Sequence, residues 1–116
     1  MALTEIIPDG RSLPVPSYPP DPLMFSFFIP CYNEERNVAS VIEKLVRVCT
    51  TQNVSFEILV FDDCSRDRTV DVVRACQGAH PGVPVRLFVN ATNQGVARNF
   101  IEGAFQARGT YYRVVM

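Results

Sequence analysis

The stretch Phe56-Glu-Ile-Leu-Val-Phe-Asp-Asp63 decides the fold class, because it joins a β-prone apolar run to two adjacent carboxylates. The uninterrupted apolar residues 58–61 are typical of a strand that is covered on both faces of a sheet. Two similar runs, residues 25–29 and 85–89, precede and follow it in the chain, and each is followed by a polar loop. The sequence therefore predicts buried strands with polar groups at their ends.

Segments with helical spacing separate these strands. Their predicted buried faces comprise Val38, Val41, Ile42, Leu45, Val46 and Cys49 in the first segment, Val72, Val73 and Cys76 in the second, and Val96, Phe100, Ala104 and Ala107 in the third. Asp67 is expected to cap the second helix, and Gly109 to end the third before a fourth strand that begins at Tyr111. The order βαβαβαβ predicts a three-layer α/β fold with a parallel sheet and right-handed crossovers.

Residues 1–24 differ from the rest of the chain, because six of the nine prolines fall between Pro8 and Pro22. Proline fixes φ and removes a backbone donor. We therefore expect an extended arm that builds neither a ladder nor a helix interior, followed by one domain at residues 25–116.

Length and charge exclude several classes of protein. A chain of 116 residues is long enough for one small domain only, and a net charge of −1 lacks the basic surface that tight nucleic-acid binding requires. The longest charge-free stretch, residues 22–33, has 12 residues and two prolines, whereas a bilayer span needs about 20 apolar residues. No signal-peptide pattern begins the chain, so we expect no membrane span and a cytoplasmic location.

The cysteine pattern argues against a zinc or redox site. Cys31, Cys49, Cys64 and Cys76 form no close pair, and the single histidine, His80, lies in a turn-rich segment with no second ligand in sequence reach. Free thiols are the preferred interpretation because nothing indicates export, although the even count leaves disulfides as the alternative.

Polar loops follow the first three strands, at residues 30–35, 62–67 and 90–95. The carboxyl ends of parallel strands open on one edge of the sheet, where ligands bind. The segment at residues 30–35 lacks the Gly-x-Gly-x-x-Gly turn of dinucleotide-binding proteins, which disfavours a nicotinamide or flavin enzyme. Because Asp62 and Asp63 would repel phosphate without an intervening metal, the sequence predicts a pocket for the uncharged end of a nucleotide.

At these loops the sequence resembles the family 2 nucleotide-sugar glycosyltransferases of the GT-A fold, in the branch that includes dolichyl-phosphate-mannose synthase. The resemblance covers residues 25–116. It rests on three segments, Phe27-Phe-Ile-Pro-Cys-Tyr-Asn-Glu-Glu35, Ile58-Leu-Val-Phe-Asp-Asp-Cys-Ser-Arg-Asp-Arg-Thr69, and Asn93-Gln-Gly95 together with residues 107–111. It implies that the chain is the nucleotide-binding half of such a fold.

The resemblance also implies roles for individual residues. Tyr32 packs near the nucleotide base, Glu34 lies by the nucleotide, and Asp63 hydrogen-bonds the base. The implied nucleotide-binding set is completed by neighbours that shape the pocket, namely Pro30, Asn33, Asp62, Asn93 and Gly95. No catalytic residue or metal ligand is implied within this chain.

The implied reaction transfers a sugar from a nucleoside-diphosphate sugar, with inversion, to an acceptor hydroxyl or a lipid phosphate. The family's Asp-x-Asp motif, which binds Mg²⁺ or Mn²⁺ and the sugar diphosphate, follows the fourth strand and is not found up to Met116. We therefore expect the full-length enzyme to use a divalent metal, and this chain alone to bind none and to transfer no sugar. An unpaired strand at the edge of its sheet predicts self-association.

Simpler roles remain open for the same residues. Asp62 and Asp63 could cap the following helix, Glu34 and Glu35 could complement a helix dipole, and Asn93 could cap the third helix. Tyr32 could be an ordinary packing residue.

Two other functions also remain open. One is a non-catalytic module that binds nucleotide sugars or assists assembly. The other is a receiver-type signalling domain, which needs a phosphoacceptor aspartate after a later strand and a downstream lysine. The third strand is instead followed by Asn90, and the only lysine is Lys44.

Overall fold

The computed structural model describes residues 4–5 and 23–116, which form a five-stranded sheet and three helices. The strands are β1 (Thr4–Glu5), β2 (Leu23–Cys31), β3 (Phe56–Asp62), β4 (Val85–Val89) and β5 (Gly109–Val114). The helices are α1 (Val38–Thr51), α2 (Thr69–Ala79) and α3 (Val96–Gln106). The strand order is β1-β4-β3-β2-β5 and every pairing is parallel, which confirms the predicted α/β fold.

All seven residues of β3 are buried, because the strand lies between two layers of helices. Ile58 and Val60 belong to the larger apolar cluster, which includes residues of α1 and α2, whereas Leu59 and Phe61 belong to a second cluster on the other face. The continuous apolar run in the sequence therefore reflects a strand covered on both sides, as predicted.

The two ends of the proline-rich arm differ from prediction. Thr4 and Glu5 pair in parallel with Leu87 and Phe88, and β2 begins at Leu23 rather than at residue 25. The expectation that residues 1–24 would join no ladder is therefore wrong for these positions. The physical reason is that they lie outside the segment from Pro8 to Pro22, so proline does not remove their backbone donors. The rest of the arm lies outside the described residues.

The predicted buried face of α3 is only partly correct. Phe100 packs edge-on against Phe28, and Ala107 packs against the second apolar cluster, but Val96 and Ala104 are exposed. The helix buries Asn99 and Gly103, whereas Val96 and Phe100 remain about half exposed. The most buried face of α3 is thus shifted by one residue, to Asn99 and Gly103, which a pattern of apolar residues does not select because neither has an apolar side chain. The predicted faces of α1 and α2 are confirmed, with Ile42 and Val73 fully buried.

Two helix boundaries are formed differently from prediction. The N-cap position of α2 is Arg68 rather than Asp67, although an Asp67 carboxylate oxygen accepts the backbone N–H of Thr69 at 2.9 Å. Gly109 begins β5 instead of ending α3. A Cβ at Gly109 would lie 2.6 Å from the carbonyl carbon of Phe25 and 2.7 Å from the nitrogen of Ser26, so only glycine allows this close approach of β5 to β2.

A buried ion pair crosses the sheet on the α3 side. Arg86 Nη1 lies 3.3 Å from Glu57 Oε1, and both side chains are almost fully buried. The Ser26 hydroxyl and the backbone N–H of Arg108 donate to Glu57 Oε2, at 2.6 and 2.7 Å. Arg86 also donates to the backbone carbonyl of Gln106 at 2.7 Å. This network fixes the connection between α3 and β5 to the centre of the sheet.

Candidate functional site

A cleft of about 330 Å³ opens at the carboxyl edge of the sheet, where β2, β3 and β4 end. Its walls comprise Pro30, Cys31, Tyr32, Glu34, Asp63, Asn93, Gly95, Val96 and Asn99. Six of the eight residues that the sequence assigned to nucleotide binding are in this set. Three loops separated by about 30 residues of chain thus supply one cleft, as the parallel topology predicts.

Asp63 is the most constrained of the six residues. Its Oδ1 accepts hydrogen bonds from Asn90 Nδ2 at 3.0 Å and the backbone N–H of Gln94 at 2.7 Å, and its Oδ2 accepts the backbone N–H of Gly95 at 2.9 Å. Burial by itself raises the pKa of the Asp63 carboxyl, but these bonds and the Asn99 amide together lower it below its ordinary value. Asp63 is therefore an anion in the folded chain at neutral pH.

These bonds show what the carboxylate does within the protein. Gly95 is the N-cap of α3 and has φ of 88°, and no side chain caps this helix. Asp63 therefore fixes the entry to α3, and Asn93 does not cap that helix.

Tyr32 and Glu34, from the loop after β2, also line the cleft. The Tyr32 side chain is 49% exposed, so it is not a core packing residue. Glu34 lies before α1, which begins at Val38 and has no acidic residue in its first turn. Its carboxylate accepts a hydrogen bond from Asn37 Nδ2 at 3.1 Å. The backbone N–H of Val38 also donates to the Glu34 carbonyl at 3.0 Å, so Glu34 lies at the N-terminus of α1, where an acidic side chain also complements the helix dipole.

Asn33 and Asp62 do not belong to the described wall of the cleft. Asn33 has φ of 54° and its side-chain oxygen accepts the backbone N–H of Arg66 at 2.9 Å. Asp62 is buried, and its Oδ2 accepts the backbone N–H of Ser65 at 3.0 Å. Its Oδ1 is buried without a hydrogen-bond partner in the described part of the chain. Both residues shape the loops behind the cleft.

Sequence reasoning did not assign Cys31, Asn90 or Asn99 to the site. Cys31 is the last residue of β2 and lines both this cleft and an adjacent cavity of about 320 Å³. Burial, followed by the charges of Asp62, Glu34 and Asp67, raises the pKa of its thiol to about 12, so the thiol is protonated and unreactive at neutral pH. The adjacent cavity shares Pro30, Cys31 and Glu34 with the cleft and is lined largely by apolar side chains.

The asparagines could have been found from one signal. Asn90 donates to the Asn99 side-chain oxygen at 2.7 Å, and both residues are buried. A buried amide on the sheet-facing side of a helix requires a polar partner, and Asn90 directly follows β4. Asn99 directly precedes Phe100, so it lies beside the helix face that the apolar pattern predicted to be buried.

The described residues do not fit a metal ion. No three histidine, cysteine, aspartate or glutamate side chains converge anywhere in residues 4–5 and 23–116. His80 Nε2 instead lies 2.8 Å from Glu43 Oε2, on the surface between α1 and α2. All four cysteines are unpaired, as predicted, although Cys64 is only half-buried. No described helix combines the length and the apolar character needed to cross a bilayer.

Comparisons with known proteins agree with this architecture. The profile of the family described as Glycosyl transferase family 2 matches residues 26–116. The undecaprenyl-phosphate 4-deoxy-4-formamido-L-arabinose transferase of Pseudomonas aeruginosa is 32% identical over 92 residues, which make up 79% of this chain and 26% of that protein. The dolichol-phosphate mannosyltransferase of Saccharomyces cerevisiae is 30% identical over 88 residues, 75% of this chain and 32% of that protein.

A solved structure shows the same fold. The crystal structure of S. aureus TarS 1-349 in complex with UDP-GlcNAc has a TM-score of 0.63 and 27% identity, and the match covers 80% of this chain and 26% of that one. The chain thus spans between 26% and 32% of the length of these three proteins.

Proposed function

Because the chain belongs to glycosyltransferase family 2, we propose that its cleft binds the nucleoside part of a nucleoside-diphosphate sugar. We further propose that the whole protein transfers the sugar, with inversion, to an acceptor hydroxyl or a lipid phosphate. The observation that carries the proposal is the convergence of Pro30, Tyr32, Glu34, Asp63, Asn93 and Gly95 on one cleft. The similarity to S. aureus TarS, solved with UDP-GlcNAc, supports this ligand class.

Each wall of the cleft offers a different contact to a nucleoside. The half-exposed ring of Tyr32 offers an aromatic face against which a base can pack. The Asp63 carboxylate suits an N–H group of the base, and the Glu34 carboxylate suits the ribose hydroxyls. Asn33 and Asp62 contribute by shaping the loops that present these groups.

The diphosphate requires positive charge that these walls lack. The cleft is lined by two carboxylates and no lysine or arginine among the described residues. We propose that a divalent cation, Mg²⁺ or Mn²⁺, neutralises the diphosphate in the full-length enzyme. The described residues do not form its site, so no step through the metal is derived from them.

Two alternative functions are distinguished from the proposed one, the first by catalytic turnover and the second by the family match. A non-catalytic nucleotide-sugar-binding module would bind the same ligand, but it would release no nucleotide, either alone or within an assembly. A receiver-type signalling domain is excluded by the family match and by Asn90, which follows β4 where that class needs an aspartate. A cytoplasmic location stays a prediction from the sequence, and no nucleic-acid partner is proposed.

The proposal is tested by titrating the chain with UDP, GDP and their sugar conjugates in a calorimeter. We expect one site per chain, weakened about tenfold by Tyr32→Leu because the aromatic contact with the base is lost. Tyr111→Leu is the matched control, since Tyr111 has a similar exposed fraction, 51% against 49%, but lies on β5. Equal affinities of the wild type and Tyr32→Leu would contradict the assignment of the cleft.

A further inference from the structure

The loop after β2 is fastened to the loop after β3 by five hydrogen bonds. We name residues 32–37 the first loop, and residues 63–69, which end with the first residue of α2, the second loop. The bonds run from Asn33 N to Ser65 Oγ (2.8 Å), Arg66 N to Asn33 Oδ1 (2.9 Å), Glu34 N to Thr69 Oγ1 (2.8 Å), Glu35 N to Asp67 Oδ2 (3.2 Å) and Arg68 N to Glu35 Oε2 (3.4 Å). The backbone N–H groups of three consecutive first-loop residues therefore donate to side chains of the second loop.

Thr69 is the centre of this arrangement. It is the first residue of α2 and is fully buried. Its hydroxyl accepts the backbone N–H of Glu34 and donates its own hydrogen to Asp67 Oδ1. The other carboxylate oxygen of Asp67 accepts the backbone N–H of Glu35. One threonine and one aspartate thus hold two successive peptide groups of the first loop.

The first loop depends on these bonds because its backbone is unusual. Asn33 has φ of 54°, in the left-handed region that asparagine adopts more readily than other non-glycine residues, and the contacts around it help to hold this conformation. Asn33 lies between Tyr32 and Glu34, the two first-loop residues that form a wall of the cleft. A change of φ at Asn33 therefore moves these two side chains relative to each other.

We propose that Thr69 and Asp67 are positioning residues for nucleotide binding. Neither lines the described cleft, and both act through the backbone of Glu34 and Glu35. This inference rests on the proposed function, since it explains how the first loop presents Tyr32 and Glu34 to a nucleoside. Preorganised side chains lose less conformational freedom when a ligand binds, so fastening the loop raises affinity.

The test replaces the hydroxyl and keeps the shape of the side chain. Thr69→Val removes the acceptor for the Glu34 N–H, whereas Thr69→Ser retains it. Two readouts are measured on the 116-residue chain: amide hydrogen exchange at Glu34, and affinity for UDP and GDP. We expect Thr69→Val to speed exchange at Glu34 while exchange in β3 is unchanged, and to weaken nucleotide binding about tenfold, with Thr69→Ser close to the wild type.

Two further variants complete the design. Asp67→Asn, at a partly exposed position, removes a carboxylate oxygen from the same network and is expected to speed exchange at Glu35, so it serves if Thr69→Val fails to fold. Asp71→Asn is its matched control, because Asp71 lies in the first turn of α2 and is exposed, with its carboxylate 3.6 Å from Arg68 Nε.

The outcomes separate this inference from the proposed function. If amide exchange is unchanged at Glu34 in Thr69→Val, or at Glu35 in Asp67→Asn, the positioning role is overturned, whatever the nucleotide affinity of the variant. Faster exchange together with unchanged affinity also overturns it. If the wild-type chain binds neither nucleotide, the proposed function is contradicted, while the exchange data still decide whether Thr69 and Asp67 hold the first loop.

Discussion

Asp63, the first residue after β3, accepts the backbone N–H of Gly95, the residue immediately before α3, at 2.9 Å. The two positions are 32 residues apart in the chain. Their hydrogen bond joins the loop after β3 to the start of α3, the helix that follows β4. A residue that sequence reasoning assigned to the ligand therefore also organises the cleft, and substitutions at Asp63 are expected to affect stability as well as binding.

Asp63→Asn is expected to lower the free energy of unfolding by about 1–3 kcal/mol at pH 7. The amide presents an N–H₂ group to one of the backbone donors of Gln94 and Gly95, which leaves a partly buried donor without an acceptor. Urea unfolding measures the effect. Asp71→Asn, an exposed carboxylate on α2, is the control and should change stability by less than about 0.5 kcal/mol. A loss no larger than that of the control would contradict the structural role of Asp63.

The same carboxylate predicts a pH dependence of stability. The pKa of the Asp63 carboxyl is lowered in the folded chain from an ordinary value of about 4. At pH values between the folded and the unfolded pKa, the unfolded chain therefore binds more protons than the folded chain. The stabilisation is fully present above the unfolded pKa and is lost as the pH falls through the folded pKa. The difference in unfolding free energy between the wild type and Asp63→Asn should thus be constant from pH 5 to 7 and shrink below about pH 4. A difference that grows on acidification would reverse the sign of this argument.

The buried pair Glu57–Arg86 predicts a non-additive response to substitution. Arg86→Met leaves the Glu57 carboxylate buried without its cation and is expected to cost about 3–5 kcal/mol. Adding Glu57→Gln removes the stranded charge but keeps an acceptor for Ser26 and the Arg108 N–H. The double variant should therefore be more stable than Arg86→Met alone, by urea unfolding. A double variant that is less stable than the single one would show that the charge of Glu57 is not what makes the loss costly.

How far the sequence determines this structure depends on the range of each interaction. The run Ile58–Leu–Val–Phe61 and the carboxylate of Asp63 form a local pattern, so the strand and its polar end could be predicted. The pairing of Glu57 with Arg86 could not, because the two residues are polar positions within apolar strands and meet only when β3 and β4 align in register. The inter-loop bonds at Thr69 depend in the same way on the alignment of β2 with β3.

Self-association is predicted from the open side of β5. Among the described strands β5 pairs only with β2, so its outer edge is unpaired, and Tyr111 and Val114 on it are 51% and 42% exposed. Unpaired edges and exposed apolar side chains favour pairing with a second copy. We expect a dimer or larger species at micromolar concentration, measured by light scattering. Val114→Lys should shift the population toward monomer, whereas Val48→Lys on the exposed face of α1 should not. A monomeric wild type at these concentrations would contradict the prediction.

The last prediction is that the 116-residue chain transfers no sugar by itself. Departure of a nucleoside diphosphate develops negative charge, and the acidic groups of the cleft, Glu34 and Asp63, would oppose it. No cluster of metal-ligating side chains occurs in the described residues to offset that charge. Missing acid-base and electrostatic groups each typically cost about 10²-fold or more in rate, so release should not exceed background.

The measurement is release of nucleoside diphosphate from a panel of nucleotide sugars in the presence of Mg²⁺ or Mn²⁺, with Asp63→Asn as the control. Equal, background-level release from both proteins is expected. Metal-dependent release by the wild type above that of Asp63→Asn would overturn the prediction. It would also mean that carboxylates assigned here to the nucleotide bind the cation instead, because these are the acidic side chains that the three loops bring to the cleft.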